Sequence, residues 1–194
     1  MRYTTLMFDV YILAGGYSSR FGSDKARALY QGKPLIIHVT KALKEVTQTC
    51  IVIADQVDKY QDLGFLTLQD KELHLGPLGG LYTALQHCHS QNEWIFICSC
   101  DVYGLQAQWV LNLWKAKTSS AQAIAYCREY WEPLFAFYHV SLLSIIEESL
   151  KQKEFALQKL LDKVNTVRVL VPQGWDSIVQ INTMADLERL IIAN

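Results

Sequence analysis

A chain of 194 residues, 51% apolar and 19% charged, has enough apolar surface to bury the core of one domain, which excludes a disordered, charge-rich protein. Its 18 basic and 19 acidic side chains leave a formal charge of −1, so no bulk field draws a long polyanion or an anionic membrane surface to it. Any phosphate it binds must be held locally, by a few placed groups.

Short apolar runs alternate with longer amphipathic ones. Residues 8–13 read as a strand. The apolar run around them, 6–13, is broken by Asp9, is too short to span a membrane and shows no signal-peptide cleavage pattern. Residues 34–46 read as a helix opening on proline. A β-branched strand follows at 50–54 and a short strand at 66–68. A helix is expected over 77–88, a fully buried strand over 94–98, and a helix over 105–117 with Trp109 and Leu113 on one face. Strands are expected at 121–125 and 134–138, helices at 141–150 and 155–161, and a strand at 167–171. Thr183-Met184-Ala185-Asp186 has the T-x-x-D form of a capping box and opens a last helix to about Ile192. Continuous apolar strands separated by helices imply a mostly parallel sheet covered on both faces. The expected fold is α/β, a three-layer, Rossmann-like α/β/α domain spanning 1–194 with no repeat or linker.

The five cysteines are Cys50, Cys88, Cys98, Cys100 and Cys127. An odd count without Cys-x-x-Cys argues against a disulfide framework. Cys98 and Cys100 share one strand face, but no second Cys/His pair completes a zinc site. His87 and His89, two apart on an expected helix, point to different sides. Reduced cysteines and no export signal indicate the cytoplasm.

The most informative segment follows the first strand: Leu13-Ala14-Gly15-Gly16-Tyr17-Ser18-Ser19-Arg20-Phe21-Gly22-Ser23-Asp24-Lys25. Adjacent glycines permit backbone conformations that aim N–H groups at phosphate oxygens. Arg20 offers a planar fork for phosphate, Lys25 a point charge, and Ser18 a hydroxyl. The loop leaves the carboxyl end of a strand, where open α/β sheets bind ligands. The spacing after Gly16 is not that of the P-loop, and no G-x-G-x-x-G dinucleotide fingerprint occurs. Arg20, Lys25, Arg27 and Lys33 fall in one short stretch against a single acid, Asp24, so a balanced chain is expected to carry a locally positive cradle.

The segment LAGGYSSRFGSDKARALYQGKPLI resembles the nucleotidyltransferase signature L-A-G-G-x-[SA]-x-R-[MF]-G-x-D-K followed by G-[KR]-P-[LM]. Its Asp-Lys ending is most similar to the molybdenum cofactor guanylyltransferase (MobA) family. Gly76-Pro77-Leu78-Gly79-Gly80-Leu81, Cys98-Ser99-Cys100-Asp101, Glu132-Pro133-Leu134-Phe135-Ala136 and Ile181-Asn182-Thr183 with Asp186-Leu187 resemble the family's later motifs and follow in family order. The chain departs from the pattern at several places. Asp55 stands where a base-reading asparagine is usual, Ser99 and Val102-Tyr103-Gly104 replace prolines around Asp101, Gln180 replaces an asparagine, and Met184 replaces a proline.

The resemblance implies transfer of GMP from GTP to Mo-molybdopterin with release of pyrophosphate. It implies Mg²⁺ held by Asp101 and catalysis by Lys25, Arg20 and Asp101. Nucleotide would be bound by Leu13, Ala14, Gly15, Gly16, Ser18, Arg20, Lys25, Asp70 and Gly76, and the acceptor by Gly79, Gly80 and Asn182. It also implies hand-over to molybdenum-cofactor insertion and delivery proteins. CTP, a sugar-phosphate acceptor, or non-catalytic nucleotide binding on the same fold remain open. Structural roles compete with these. Asp101 could cap the helix expected at Leu105, Asn182 could be a turn residue, and Lys25 and Asp70 could be solvated surface charges.

Overall fold

The computed structural model describes residues 8–15, 21–47, 49–70, 75–88 and 92–193. Its elements in chain order are β1 (Asp9–Leu13), β2 (Leu29–Tyr30), β3 (Lys33–Pro34), α1 (Leu35–Leu43), β4 (Cys50–Ala54), β5 (Leu66–Gln69), α2 (Pro77–His87), β6 (Trp94–Ser99), β7 (Val102–Tyr103), α3 (Ala107–Lys115), β8 (Ala123–Cys127), β9 (Trp131–His139), α4 (Leu143–Lys151), α5 (Leu157–Lys163), β10 (Thr166–Leu170), β11 (Val179–Gln180) and α6 (Met184–Ala193). Short 3₁₀ turns join some of them, one of which, Lys25–Arg27, matters for the site.

Seven strands form one sheet in the order β10-β8-β9-β6-β1-β4-β5. All neighbours run parallel except β9, which is antiparallel to β6 and β8. The two-residue period of a strand sorts the apolar side chains into two layers. Val10, Ile12, Val52 and Phe96 face α1 and α3, meeting Ile36, Val39, Trp109 and Val110. Tyr11, Leu13, Ile53 and Ile97 face α2, α4 and α5, meeting Leu78, Leu81, Ile146 and Leu160. Each such side chain, fully buried, stabilises the fold by about 1.5–3 kcal/mol before entropy is subtracted. The expected three-layer α/β/α architecture with a mostly parallel sheet is therefore present. No helix among the described residues is long and apolar enough to cross a membrane.

Several element boundaries differ from expectation by about two residues or more, and three of the differences have a visible physical reason. Pro34 is the N-cap of α1, not its first helical residue, and the helix closes at Leu43. Val46 and Thr47 donate back to the Leu43 carbonyl in a turn, yet Val46 stays buried, so the apolar period outruns the helix. The strand expected at 134 begins at Trp131, because an irregularity in the β8–β9 pairing accommodates Pro133. The pairs β2–β3 and β7–β11 have two residues per strand and no periodicity to detect.

The T-x-x-D pattern closes as a capping box. The Asp186 amide donates to Thr183 Oγ1 at 3.2 Å, and the Thr183 amide to Asp186 Oδ2 at 2.8 Å. The Thr183 hydroxyl, which donates to Asp186 Oδ2 at 2.8 Å, and then the Thr183 amide hold the Asp186 carboxyl below its ordinary value. Leu187 and Leu190 of α6 pack against Phe21, Tyr30 and Ile181, and the Ile181 amide donates to the Asp101 carbonyl at 2.9 Å. The end of the chain is thus fastened to the centre of the sheet edge. Strand order reverses around β1, which lies between β4 and β6, and Leu13 is in register with both Ile53 and Ser99. The carboxyl ends of three strands therefore coincide at a topological switch point, where such sheets open a crevice.

Candidate active site

That crevice is a cavity of about 250 Å³ lined by Leu13, Ala14, Gly15, Lys25, Ala26, Ile53, Asp70, Gly76, Pro77, Gly80, Ser99, Cys100, Asp101 and Leu134. Eight of the expected site residues meet there: Leu13, Ala14, Gly15, Lys25, Asp70, Gly76, Gly80 and Asp101. Gly16, Ser18 and Arg20 lie outside the described residues. The loop leaves β1 pinned on both sides. The Ala14 amide donates to the Ile53 carbonyl at 2.9 Å, and the Cys100 amide to the Leu13 carbonyl at 3.1 Å.

Lys25 Nζ donates to Asp101 Oδ2 at 2.6 Å and reaches Asn182 Oδ1 at 3.4 Å. The Ser99 hydroxyl donates to the other Asp101 oxygen at 2.5 Å. Asp101 is not a helix cap, since α3 starts later with Gln106 as its N-cap. Asn182 is a turn residue, its amide donating to Asp186 Oδ2 at 3.1 Å, and its side chain also meets Lys25. Lys25 and Asp101 are both largely buried, with side chains 18% and 15% exposed. An ammonium lodged between a carboxylate and a carboxamide oxygen marks a spot that favours positive charge.

Those same hard oxygen donors suit a divalent cation that keeps several waters and takes phosphate oxygens as ligands. No cluster of three His, Cys, Asp or Glu side chains occurs among the described residues, so an all-protein cage is not what they offer. Burial, with Asp101 adding to it, pushes the Cys100 thiol up to about 12, which disfavours the thiolate at neutral pH.

Lys25 is positioned by a network that motif spacing did not indicate. Asp24 caps the 3₁₀ turn through the Ala26 amide at 3.1 Å. The buried Tyr60 hydroxyl donates to both Asp24 oxygens, at 3.0 and 3.1 Å. Arg27 turns outward, forking onto Asp62 at 2.8 and 2.7 Å and onto the Lys59 carbonyl at 2.6 Å. Lys33 borders a different groove. The expected cradle of four basic side chains therefore shrinks: of those that are described, only Lys25 lines the cavity. Asp55 forms an ion pair with Lys59 at 2.7 Å and is not among the lining residues. Ser99 stands inside the Asp101 motif as a departure from it, while Tyr60 lies outside every motif and carries no sequence signal that would have singled it out.

At the other end, Asp70 is buried rather than a solvated loop acid. Its amide donates to the Ala54 carbonyl at 2.7 Å, and it accepts from the Thr83 hydroxyl at 3.3 Å. Gly79 and Gly80 lie in the first turns of α2. Gly80 lines the cavity, and a Cβ there would stand 3.0 Å from Leu13 Cδ2. Gly79 is buried in the helix and does not line it. Gly76 caps α2 at φ 59°, ψ −149°, a region essentially closed to other residues. A Cβ at Gly76 meets nothing within 4 Å, so the cost of replacing it is conformational. Gly76→Ala should destabilise by about 1–3 kcal/mol and lower Tm by roughly 2–10 °C, measured by calorimetry; an unchanged Tm would refute the strain.

The family model described as "MobA-like NTP transferase domain" matches residues 10–168. A molybdenum cofactor guanylyltransferase of Yersinia pestis is 32% identical over 180 residues, 91% of this chain and 91% of that protein. A Flavobacterium johnsoniae protein named probable molybdenum cofactor guanylyltransferase is 34% identical over 155 residues, 79% of this chain and 80% of its own. The crystal structure of molybdopterin-guanine dinucleotide biosynthesis protein A from Archaeoglobus fulgidus superposes with a TM-score of 0.80 at 21% identity, covering 96% of this chain and 98% of that one.

Proposed function

The chain belongs to the MobA-like NTP transferase family, and we propose that within this nucleotidyltransferase family it transfers GMP from GTP to Mo-molybdopterin, releasing pyrophosphate. The observation that carries this is one cavity joining the end of the glycine loop to Lys25, Asp101 and Asp70. Its support from relatives is their guanylyltransferase name at 32–34% identity.

In this reading an acceptor phosphate oxygen forms a bond to the α-phosphorus as the bond from that phosphorus to the bridging oxygen breaks, and pyrophosphate leaves with the electron pair. There is little covalent work for the protein, so catalysis is positioning and charge neutralisation. The Gly15 amide holds a phosphate oxygen, and the resemblance adds Gly16, Ser18 and Arg20 to the same ligand, while Ala14, its amide tied to the Ile53 carbonyl, serves by lining the cavity. Lys25 moves from Asp101 onto the charge developing around the α-phosphorus. Asp101, with Asn182 also in contact with Lys25, would hold Mg²⁺, which would supply charge neutralisation on the phosphates. Asp70 accepts from the ring N–H and amino group of guanine, the pairing a buried carboxylate makes best. Gly80 keeps the wall thin, and Gly79 serves through the packing of α2. The product is passed to insertion and delivery proteins in the cytoplasm.

Selectivity tests the base assignment. With nucleotide at about a hundredfold over Kd, a ligand binding only the folded state adds about 2.7 kcal/mol, or roughly 5–10 °C in Tm for a chain of this size. GTP should give that shift, with ATP, CTP and UTP giving much less, and Asp70→Asn should erase the difference. A CTP-selective shift would replace the guanylyl reading with a cytidylyl one.

A further inference from the structure

A second cleft of about 300 Å³ lies at the same edge of the sheet, walled by Arg128, Glu132, Trp175, Ile178 and Gln180 with Asp176 at its rim. It adjoins the first along two stretches of chain. Glu132 is two residues from Leu134, which lines the first cavity, and Gln180 is two residues from Asn182, which meets Lys25. Two residues of extended chain span only about 7 Å.

The cleft has one fixed flat wall. The Trp175 ring is half-buried and wedged against Trp109, Tyr126 and Phe135, with centroids 5.3, 5.0 and 5.3 Å away. A ring so held offers a stacking face at little entropic cost. Beside it is a carboxylate. Glu132 is half-buried, within hydrogen-bonding reach of the Trp175 indole, and its acidity is weakened by burial. Arg128, the cation whose charge acts on Glu132, is engaged through both terminal nitrogens by Asp176, at 3.0 and 3.3 Å. Glu132 therefore keeps acceptor capacity toward the cleft, and Gln180 adds an amide to its lining.

We propose that Trp175 and Glu132 select the acceptor: Trp175 stacks on a flat heterocycle, and Glu132 accepts from an adjacent ring N–H and amino group, the edge a 2-amino-4-oxopteridine presents. This assignment rests on the guanylyltransferase reading and deepens it. It places the acceptor ring on the far side of Asn182, with its phosphate end facing Lys25 and Asp101.

The full chain is titrated with fluorescent 2-amino-4-oxopteridine and with its 2,4-dioxo analogue, which turns the amino donor into an acceptor. GTP is kept saturating, so that a guanine-like edge cannot occupy the first cavity. A site built around a buried carboxylate should prefer the amino compound by at least about tenfold. Glu132→Gln should abolish that preference and leave the GTP thermal shift unchanged. Trp175→Phe, which retains a ring in the aromatic cluster, should weaken both compounds alike. Equal affinities in the wild type, an undiminished preference in Glu132→Gln, or displacement of the pteridine by GTP overturns the proposal. Absence of a GTP shift in the wild type would sink the nucleotide reading instead. The pteridine preference, measured then without nucleotide, still decides the role of Glu132.

Discussion

Lys25→Ala should lower the turnover number by about 10³-fold while weakening GTP binding by only about tenfold. The ammonium is held 2.6 Å from Asp101 and 3.4 Å from Asn182, at the cavity end that the proposed function assigns to the phosphates, whereas it assigns the base to Asp70. A group that meets charge developing in the transition state acts mainly on turnover, and losing one such donor typically costs 10²- to 10³-fold, about 2.7–4 kcal/mol. Lys25→Arg should rescue poorly, because a planar guanidinium cannot take the point-charge position between two side chains. Single-turnover release of pyrophosphate, run beside a nucleotide titration, separates the two effects. Turnover near the wild-type value would remove Lys25 from the chemistry and return it to the role of an ion-pair partner.

Asp101→Asn should cost a comparable factor in turnover through a different dependence. The variant keeps its shape and its bond from Ser99 Oγ, 2.5 Å in the wild type, but loses the charge that a divalent cation needs. Half-maximal activity should then require at least about tenfold more Mg²⁺. Nucleotide binding without metal should move the opposite way. If Asp101 faces the triphosphate as proposed, removing its charge relieves like-charge repulsion, so the metal-free GTP shift should grow. A variant with lower activity but an unchanged Mg²⁺ requirement would show that Asp101 only positions Lys25.

Legibility followed length of pattern. The strand at Trp94–Ser99 is buried on both faces and reads as a continuous apolar run, so its existence and the emergence of Asp101 at its end could be inferred from the chain. The same holds for β1, β4 and the helix opening at Pro77. What could not be read depends on contacts far apart in sequence. Ser99 looked like a departure from a proline-containing motif, yet it orients the carboxylate. Tyr60 stands 36 residues from Asp24, and only the fold shows it steadying the turn that carries Lys25. Arg27 counted as part of a positive cradle because charge was tallied along the chain, whereas in space Asp62 claims it. Asp70 could be mistaken for a surface acid until its amide was seen paired with the end of β4.

The central claim is that one cavity binds GTP by its phosphates and its base and passes GMP to a pterin phosphate. The most direct measurement incubates the protein with Mo-molybdopterin, Mg²⁺ and each of GTP, ATP, CTP and UTP, and quantifies both pyrophosphate and the dinucleotide product. Pyrophosphate should form with GTP, in equal amount to molybdopterin guanine dinucleotide, and with the other nucleotides only at background. Product from CTP in place of GTP, or tight GTP binding with no pyrophosphate, would contradict it.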